Sequence, residues 1–329
     1  MKRILPFLIC FLILCQRLNS QVLISPGKPF AEIHTDFHYS INDTSKTSGF
    51  GLNRAYIGYN YTPEGYYSAL IILNLGNPDD LAPGSVAKRY AYFREASVAY
   101  SREKLTIHFG MVSTRFCDFQ QNFWGKRYLG PEYQSIYGYS PVADLGVVID
   151  YKLNDLLKVD LSLLNGEGYT NIQVDKSLKT AFGLTITAPD NLAVRLYEDI
   201  SKPKGTWQST FLAFAGFKNN IFSFGAEVSY KTNLDFTYGH DVWGISGTGS
   251  ISLNENSEVF SRYDYTASVT VPGEFTQWDS AKDASYIITG IQHIFSSNVK
   301  MALNWRRKNP YSPEFRSTDA IYLNASFKF

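Results

Sequence analysis

From Phe30 to the last residue, apolar and polar positions alternate with a period of two. Ala31, Ile33, Phe37 and Tyr39 fall on one face, with Glu32, His34, Asp36 and His38 on the other. Successive strand side chains point to opposite sides of a sheet, so the segment reads as a strand that is apolar outward and charged inward. Leu145, Val147, Ile149 and Tyr151 oppose Asp144, Gly146, Asp150 and Lys152 in the same way. Phe222, Phe224, Ala226, Val228 and Tyr230 oppose Ser223, Gly225, Glu227, Ser229 and Lys231. Sixteen such segments are expected, at 30–39, 51–61, 66–75, 89–100, 104–113, 143–153, 157–165, 178–188, 191–200, 208–217, 221–232, 241–253, 257–267, 284–295, 298–307 and 318–329. Most have about the ten residues that a tilted strand needs to cross a bilayer. Alternation is weakest in 66–75 and 208–217, where both faces are apolar or small.

The connections alternate too. Every second one is a tight turn: Thr62-Pro63-Glu64-Gly65, Ser101-Arg102-Glu103, Asn154-Asp155-Leu156, Pro189-Asp190, Lys218-Asn219-Asn220, Asn254-Glu255-Asn256 and Ser296-Ser297. The links between them are longer and polar. Short turns on one rim and long loops on the other are the layout of outer-membrane barrels. A closed barrel also leaves no sheet edge unpaired, which lipid demands. The expected fold is therefore all-β, a sixteen-stranded antiparallel transmembrane β-barrel in the outer membrane of a Gram-negative cell. Ile321, Leu323, Ala325, Phe327 and Phe329 share the outer face of the last strand. That aromatic ending resembles the signal read by the barrel assembly machinery, so Phe329 is the expected point of contact.

The N-terminus fits export. Lys2 and Arg3 precede an apolar run from Ile4 to Cys15, and a polar stretch leads to a cleavage point before Gln21. Residues 1–20 read as a signal peptide and 21–329 as one barrel domain, because the run is too short to span. A lipoprotein signal at Cys15 would want a small residue where Leu14 stands. With the signal gone, 28 bases face 30 acids, a balance that does not attract nucleic acid. Only Cys117 remains of three cysteines, so no intrachain disulfide forms. Aromatics are 16% of the chain, yet no apolar run after the signal approaches a membrane helix.

The third loop, 114–142, is the longest and carries Phe116, Phe119, Phe123, Trp124, Tyr128, Tyr133, Tyr137 and Tyr139. A segment so aromatic must pack on something, and a sixteen-stranded lumen is wide enough to receive it. An inward fold that narrows the pore is expected, lined by Arg115, Asp118, Lys126, Arg127 and Glu132. An outward cap or a protomer contact is the alternative.

Phe123-Trp124-Gly125-Lys126-Arg127-Tyr128 resembles the Trp-Gly-x-Arg-Tyr stretch of the phosphate-selective porin O/P-like family. Ala143-Asp144-Leu145-Gly146, Asn165-Gly166-Glu167-Gly168-Tyr169 and Arg262-Tyr263-Asp264-Tyr265 are similar to its other motifs, in family order. The resemblance implies a sixteen-stranded, commonly trimeric outer-membrane porin with a constricting third loop. It does not carry phosphate with it. Anion selectivity needs a cationic constriction, and the inward positions are mixed. Lys152, Lys158, Arg195, Lys231, Arg262, Lys300 and Arg306 are balanced by Glu32, Asp36, Asp150, Asp160, Glu227 and Asp264.

Arg262 and Asp264 sit two apart and face inward together, either as part of a lumen charge ladder or as a wall ion pair. His34 and His38 share a face but lie roughly 13 Å apart along a strand, too far for one metal. Gly244, Gly247 and Gly249 lie inside a strand, where they relieve crowding or bend the wall. Neither a catalytic motif nor a cofactor-binding motif is present, and no enzyme activity, cofactor or metal is expected. The function expected is passive diffusion of small polar solutes or ions. Pore-lining candidates are Arg115, Asp118, Lys126, Arg127, Glu132, Lys158, Arg195, Arg262 and Asp264. A lipid-hydrolysing barrel enzyme would place a Ser-His pair outward, whereas His34 and His38 point inward. A non-conducting adhesion barrel would carry longer loops.

Overall fold

The computed structural model describes residues 27–42, 48–75, 91–173, 176–189 and 191–329. The expected signal peptide, residues 89–90 of the expected fourth strand and Asp190 lie outside them. Sixteen strands follow in order: β1 (Gly27–Ser40), β2 (Gly49–Tyr61), β3 (Tyr67–Leu75), β4 (Ala91–Arg102), β5 (Leu105–Ser113), β6 (Ala143–Lys152), β7 (Leu157–Leu164), β8 (Lys179–Thr187), β9 (Leu192–Ser201), β10 (Gln208–Lys218), β11 (Phe222–Thr232), β12 (Val242–Ser252), β13 (Ser257–Ser268), β14 (Ala284–Ser296), β15 (Val299–Pro310) and β16 (Thr318–Lys328). Each pairs antiparallel with its sequence neighbours, and β1 pairs with β16 to close the barrel. At the seam the Phe329 amide donates to the Ala31 carbonyl at 2.9 Å. No backbone edge is left for lipid to solvate.

Turn chemistry fixes one rim. The side-chain oxygen of Asn154 accepts from the amides of Leu156 and Leu157, and Asn219 does the same for Ile221 and Phe222. Asn254 accepts from the Asn256 amide at 2.9 Å. An asparagine that folds back on its own chain makes a compact turn without help from the other rim. Between β4 and β5 only Glu103 and Lys104 intervene, with Glu103 at φ 52°.

The outer surface is apolar. Ile57, Val98, Phe109, Leu161, Phe211, Ile245 and Leu303 are exposed on it as large hydrophobic side chains, the face that lipid covers. Tyr67 and Tyr100 meet at 5.4 Å and Phe217 and Phe222 at 5.4 Å on the short-turn rim. Trp243, Tyr265 and Tyr311 form a second aromatic group on the long-loop rim. Two such girdles bracket the apolar band of membrane barrels.

Two strands, β3 and β10, depart from clean alternation, the second of them for a visible physical reason. In β10 the inward Leu212 and Phe214 are buried although they face the lumen, because the third loop packs on them. In β3 the inward Leu70 borders a cavity of about 200 Å³ with Ser97, Ala99 and Val112. Bulges shift the register in β2 opposite His34 and Thr35 and in β4 opposite Ile72 and Leu73. The second leaves Arg94 as the extra residue between Phe93 and Glu95.

Gly110 of β5 has φ 118°, and a Cβ there would stand 2.4 Å from the Ala96 carbonyl oxygen. Backbone cannot yield as a flexible side chain does, so Gly110→Ala should lower barrel stability by roughly 1–3 kcal/mol. Gly247→Ala, where a Cβ meets open space, should be neutral. Thermal unfolding of both variants, followed by the heat-shifted gel mobility of the barrel, checks this; equal stability of the two would contradict the close-approach argument.

Candidate functional site: the third loop inside the lumen

The loop between Ser113 and Ala143, L3, holds the only two α-helices among the described residues: α1 (Asp118–Trp124) and α2 (Tyr133–Ile136). Gly125, at φ 66°, ends α1 in the left-handed conformation, and its amide bonds the Gln121 carbonyl at 2.9 Å. This is the glycine stop that many helices use. Thr114 clasps the neck of the loop, through its amide to Val142 O at 3.2 Å and its hydroxyl to Pro141 O at 2.8 Å.

L3 lies against the inner wall. Phe116, Tyr133 and Tyr139 pack with Tyr197, Leu212 and Phe214 of β9 and β10. Farther round, Trp124, Tyr128 and Leu129 pack with Phe260, Ile288 and Ala302 of β13, β14 and β15. Two wall glycines make the fit: a Cβ at Gly216 would stand 2.6 Å from the Phe123 ring, and one at Gly225 3.0 Å from it. Gly244, expected to relieve crowding or bend the wall, leaves room for Tyr133, whose hydroxyl oxygen would lie 2.7 Å from a Cβ there.

Apolar contact alone would strand the loop's backbone carbonyls, since little of L3 is helical and buried carbonyls need donors. Cations on the wall supply them. Arg195 donates to Arg115 O at 2.7 Å, Arg306 to Leu129 O at 2.6 Å and Arg262 to Pro131 O at 2.8 Å. Lys231 donates to Tyr139 O at 2.8 Å and Gly138 O at 3.3 Å. Hydrogen bonds from ionised donors are roughly twice as strong as neutral ones. Side chains add to the attachment: Tyr128 donates to Gln292 at 2.7 Å and Gln134 to Glu227 at 2.5 Å.

The nine candidate residues fall into separate groups. Arg115, Asp118, Lys158 and Arg195 meet at a cavity of about 760 Å³ that opens toward the short-turn rim. There Arg115 pairs with Asp150 at 2.9 Å and Asp118 at 3.4 Å, Lys158 pairs with Asp150 at 3.0 Å, and Arg195 pairs with Asp160 at 2.8 Å. Asp118 also accepts from the Ser113 hydroxyl. Arg262 and Asp264 form a pair at 2.5 Å beneath L3, with side chains 3% and 0% exposed. Lys126 reaches Glu258 at 2.9 Å, and Arg127 reaches Glu132 at 2.8 Å. Among the described residues, then, each of the nine has an ion-pair partner.

Burial leaves its mark on the loop's titration. Burial pulls Lys126 below the ordinary lysine value, with Glu258 opposing, and pulls Arg127 down against Glu132. Tyr139 is pushed up to about 12 by burial, and the Cys117 thiol is pushed well up by the same cause. Cys117 is fully enclosed and stays a neutral thiol.

Two cations on the facing wall were absent from the expected set. Arg54 of β2 and Arg94 of β4 both lie over the Tyr56 ring, at 5.0 and 5.6 Å. Arg94 also pairs with Glu95 at 2.6 Å, whereas Arg54 has no carboxylate partner among the described residues. Strict two-residue phase points Arg54, opposite the inward His34, into the lumen, but does not reveal Arg94, the extra residue of its bulge. The one available signal is the adjacent pair Arg94-Glu95, two charges that alternation alone would set on opposite faces. His34, 6.3 Å from Tyr128 by ring centroid, marks where L3 comes near β1.

No protein-family model matches the chain, and no curated protein matches it. Solved structures do match. OmpF of Salmonella typhi, in complex with daunomycin, is similar with a TM-score of 0.68 at 12% identity, over 92% of this chain and 97% of that one. An anion-selective porin from Comamonas acidovorans gives 0.67 at 11%, over 92% and 99%. OmpT, an outer-membrane protein of Vibrio cholerae in a trimer form, gives 0.59 at 11%, over 92% and 99%. At these identities the likeness is one of fold, and with the closed barrel and its lipid-facing band it makes this chain an outer-membrane β-barrel of the sixteen-stranded, porin-like architecture.

Proposed function

We propose that the protein is a passive diffusion channel of the Gram-negative outer membrane, in which L3 narrows a water-filled lumen and no chemistry is catalysed. The observation that carries this reading is the seating of L3. A loop of twenty-nine residues is held on the inner wall by five charge-assisted bonds to its own backbone. Such an attachment costs a binding or adhesion barrel its lumen to no purpose, but it sets the width of a pore. The neighbouring porin structures support the same reading by architecture.

The finer resemblance, to the phosphate-selective porin O/P-like family, belongs to this proposal for its constricting loop and its trimeric state, with outer-membrane lipid around the assembly. Contact of Phe329 with the assembly machinery is likewise part of it. For ion preference the wall charges matter more than the family name. Most cations near L3 are paired with carboxylates or spent on carbonyls; Arg54, over the Tyr56 ring, has neither attachment among the described residues, nor has the inward Lys300. A unit charge about 5 Å from a permeating ion is worth roughly 3 kcal/mol at an effective dielectric of about 20, before salt screens it. The channel should therefore show a modest anion preference to which Arg54 contributes.

Two measurements test these statements. The reversal potential of the purified barrel across a potassium chloride gradient should indicate anion preference. Arg54→Ser should shift it toward cations by several-fold in permeability ratio, and Arg54→Lys should restore it; absence of conductance in the parent protein would end the channel reading. Gly216→Val should drive Phe123 off its seat and increase current noise as L3 loosens, whereas Gly216→Val combined with Phe123→Ala should quieten it. Equal noise in the single and double variants would detach Phe123 from loop anchoring.

A further inference from the structure

On the long-loop side of L3 lies a second cavity, of about 510 Å³, bordered by Ser140, Asn171, Lys179, Gln208, Lys231 and Asp235. It shares no lining residue with the larger cavity toward the short-turn rim. Its two lysines are buried, at 2% and 5% exposure, so bulk water does not solvate their ammonium groups. Each ammonium has three N–H donors. Lys179 uses two at most, toward the Ser140 hydroxyl at 3.3 Å and Asp199 at 3.7 Å. Lys231 uses two on the carbonyls of Gly138 and Tyr139. One donor on each remains.

The wall beside the lysines holds further groups with nothing to bond. Register places Thr210 opposite both Asp199 and Lys231, and Gln208 opposite Ser201. Asp199 Oδ1, Ser201 Oγ and Thr210 Oγ1 are buried without a hydrogen-bond partner. A buried polar group left unpaired costs about 1–3 kcal/mol. These groups lie behind the cavity, whereas the two buried cations with a spare donor each border it together with Gln208, and that is where a polar occupant fits.

We propose that this cavity is a binding subsite for a small polyhydroxylated carboxylate, a sugar acid in chemical class, on its way into the channel. The carboxylate bridges the spare donors of Lys179 and Lys231. The hydroxyls exchange hydrogen bonds with Gln208, Ser140 and Asn171, which border the cavity. The subsite deepens the channel reading and rests on it: a solute is held at the entrance, above the narrowing, before it passes L3. Weak binding at such a point raises the local concentration of one solute class without closing the path to others.

The test uses the full barrel in planar bilayers at constant ionic strength, with sodium gluconate, glucose or sodium phosphate added on the long-loop side. Gluconate should reduce the current in a saturable way and glucose should not. Lys179→Gln should raise the half-effective concentration about tenfold or more, the loss of one hydrogen bond to a charged group. Gln208→Leu, which breaks no contact to L3, should act in the same direction, and heat-shifted gel mobility shows that both variants fold. The proposal is overturned if gluconate acts no more strongly than glucose in a conducting channel, which would leave the cavity to water. It is equally overturned if both variants match the parent, or if phosphate acts as well as gluconate, since the hydroxyl contacts would then play no part. A barrel that does not conduct overturns the channel reading instead. Calorimetric titration of gluconate into the detergent-solubilised barrel then decides the subsite alone, with heat of binding supporting it and none refuting it.

Discussion

A backbone carbonyl buried without a donor is expensive, and the interior of this barrel is arranged around that constraint. Strands meet it by pairing all the way round to the β1–β16 seam. L3 has no sheet to join and little helix, so its carbonyls depend on Arg195, Lys231, Arg262 and Arg306. Those four side chains come from β9, β11, β13 and β15, alternate strands along half the circumference. The loop is thereby fastened along an arc, and the apolar contacts of Phe116, Tyr133 and Trp124 fill the space between fastenings.

The same arrangement explains why a lumen rich in charge carries little net field. Arg262 lies against Asp264, Arg195 against Asp160, and Arg115 between Asp118 and Asp150. A buried cation that serves a carbonyl needs a carboxylate nearby, because desolvating an isolated charge costs several kcal/mol. Two of the four clamps, Arg195 and Arg262, carry their counter-charge with them, whereas Arg306 leans on the side-chain oxygens of Asn304 and Asn324 instead. On the opposite wall Arg54 rests on Tyr56 with no ion-pair partner among the described residues.

Much of the fold was legible in the sequence because a barrel wall is periodic by necessity. Lipid on one side and water on the other force a two-residue alternation, and strand ends read from it agree with the structure within a few residues. Of the two indistinct strands, 208–217 loses the pattern because its inward face is covered: Leu212 and Phe214 are apolar because L3 sits on them. The aromatic content of L3 gave its inward fold for the same reason, since those rings needed a surface. The site was less legible. Period two says which way Arg262 points but not that its donors end on Pro131 O, a contact between residues 131 positions apart. Arg94 was not legible because it is itself the inserted residue that resets the phase of its strand.

The placement of L3 is tested most directly by single-channel conductance after excision of residues 120–134. The neck formed by Thr114 with Pro141 and Val142 lies outside that cut and keeps the loop closed. With most of α1 and the clamped carbonyls of Leu129 and Pro131 removed, the stretch of L3 over β13, β14 and β15 is gone. Conductance should rise, and liposome swelling should admit larger sugars than the parent does. Unchanged conductance with an unchanged size limit would mean that L3 does not stand in the permeation path.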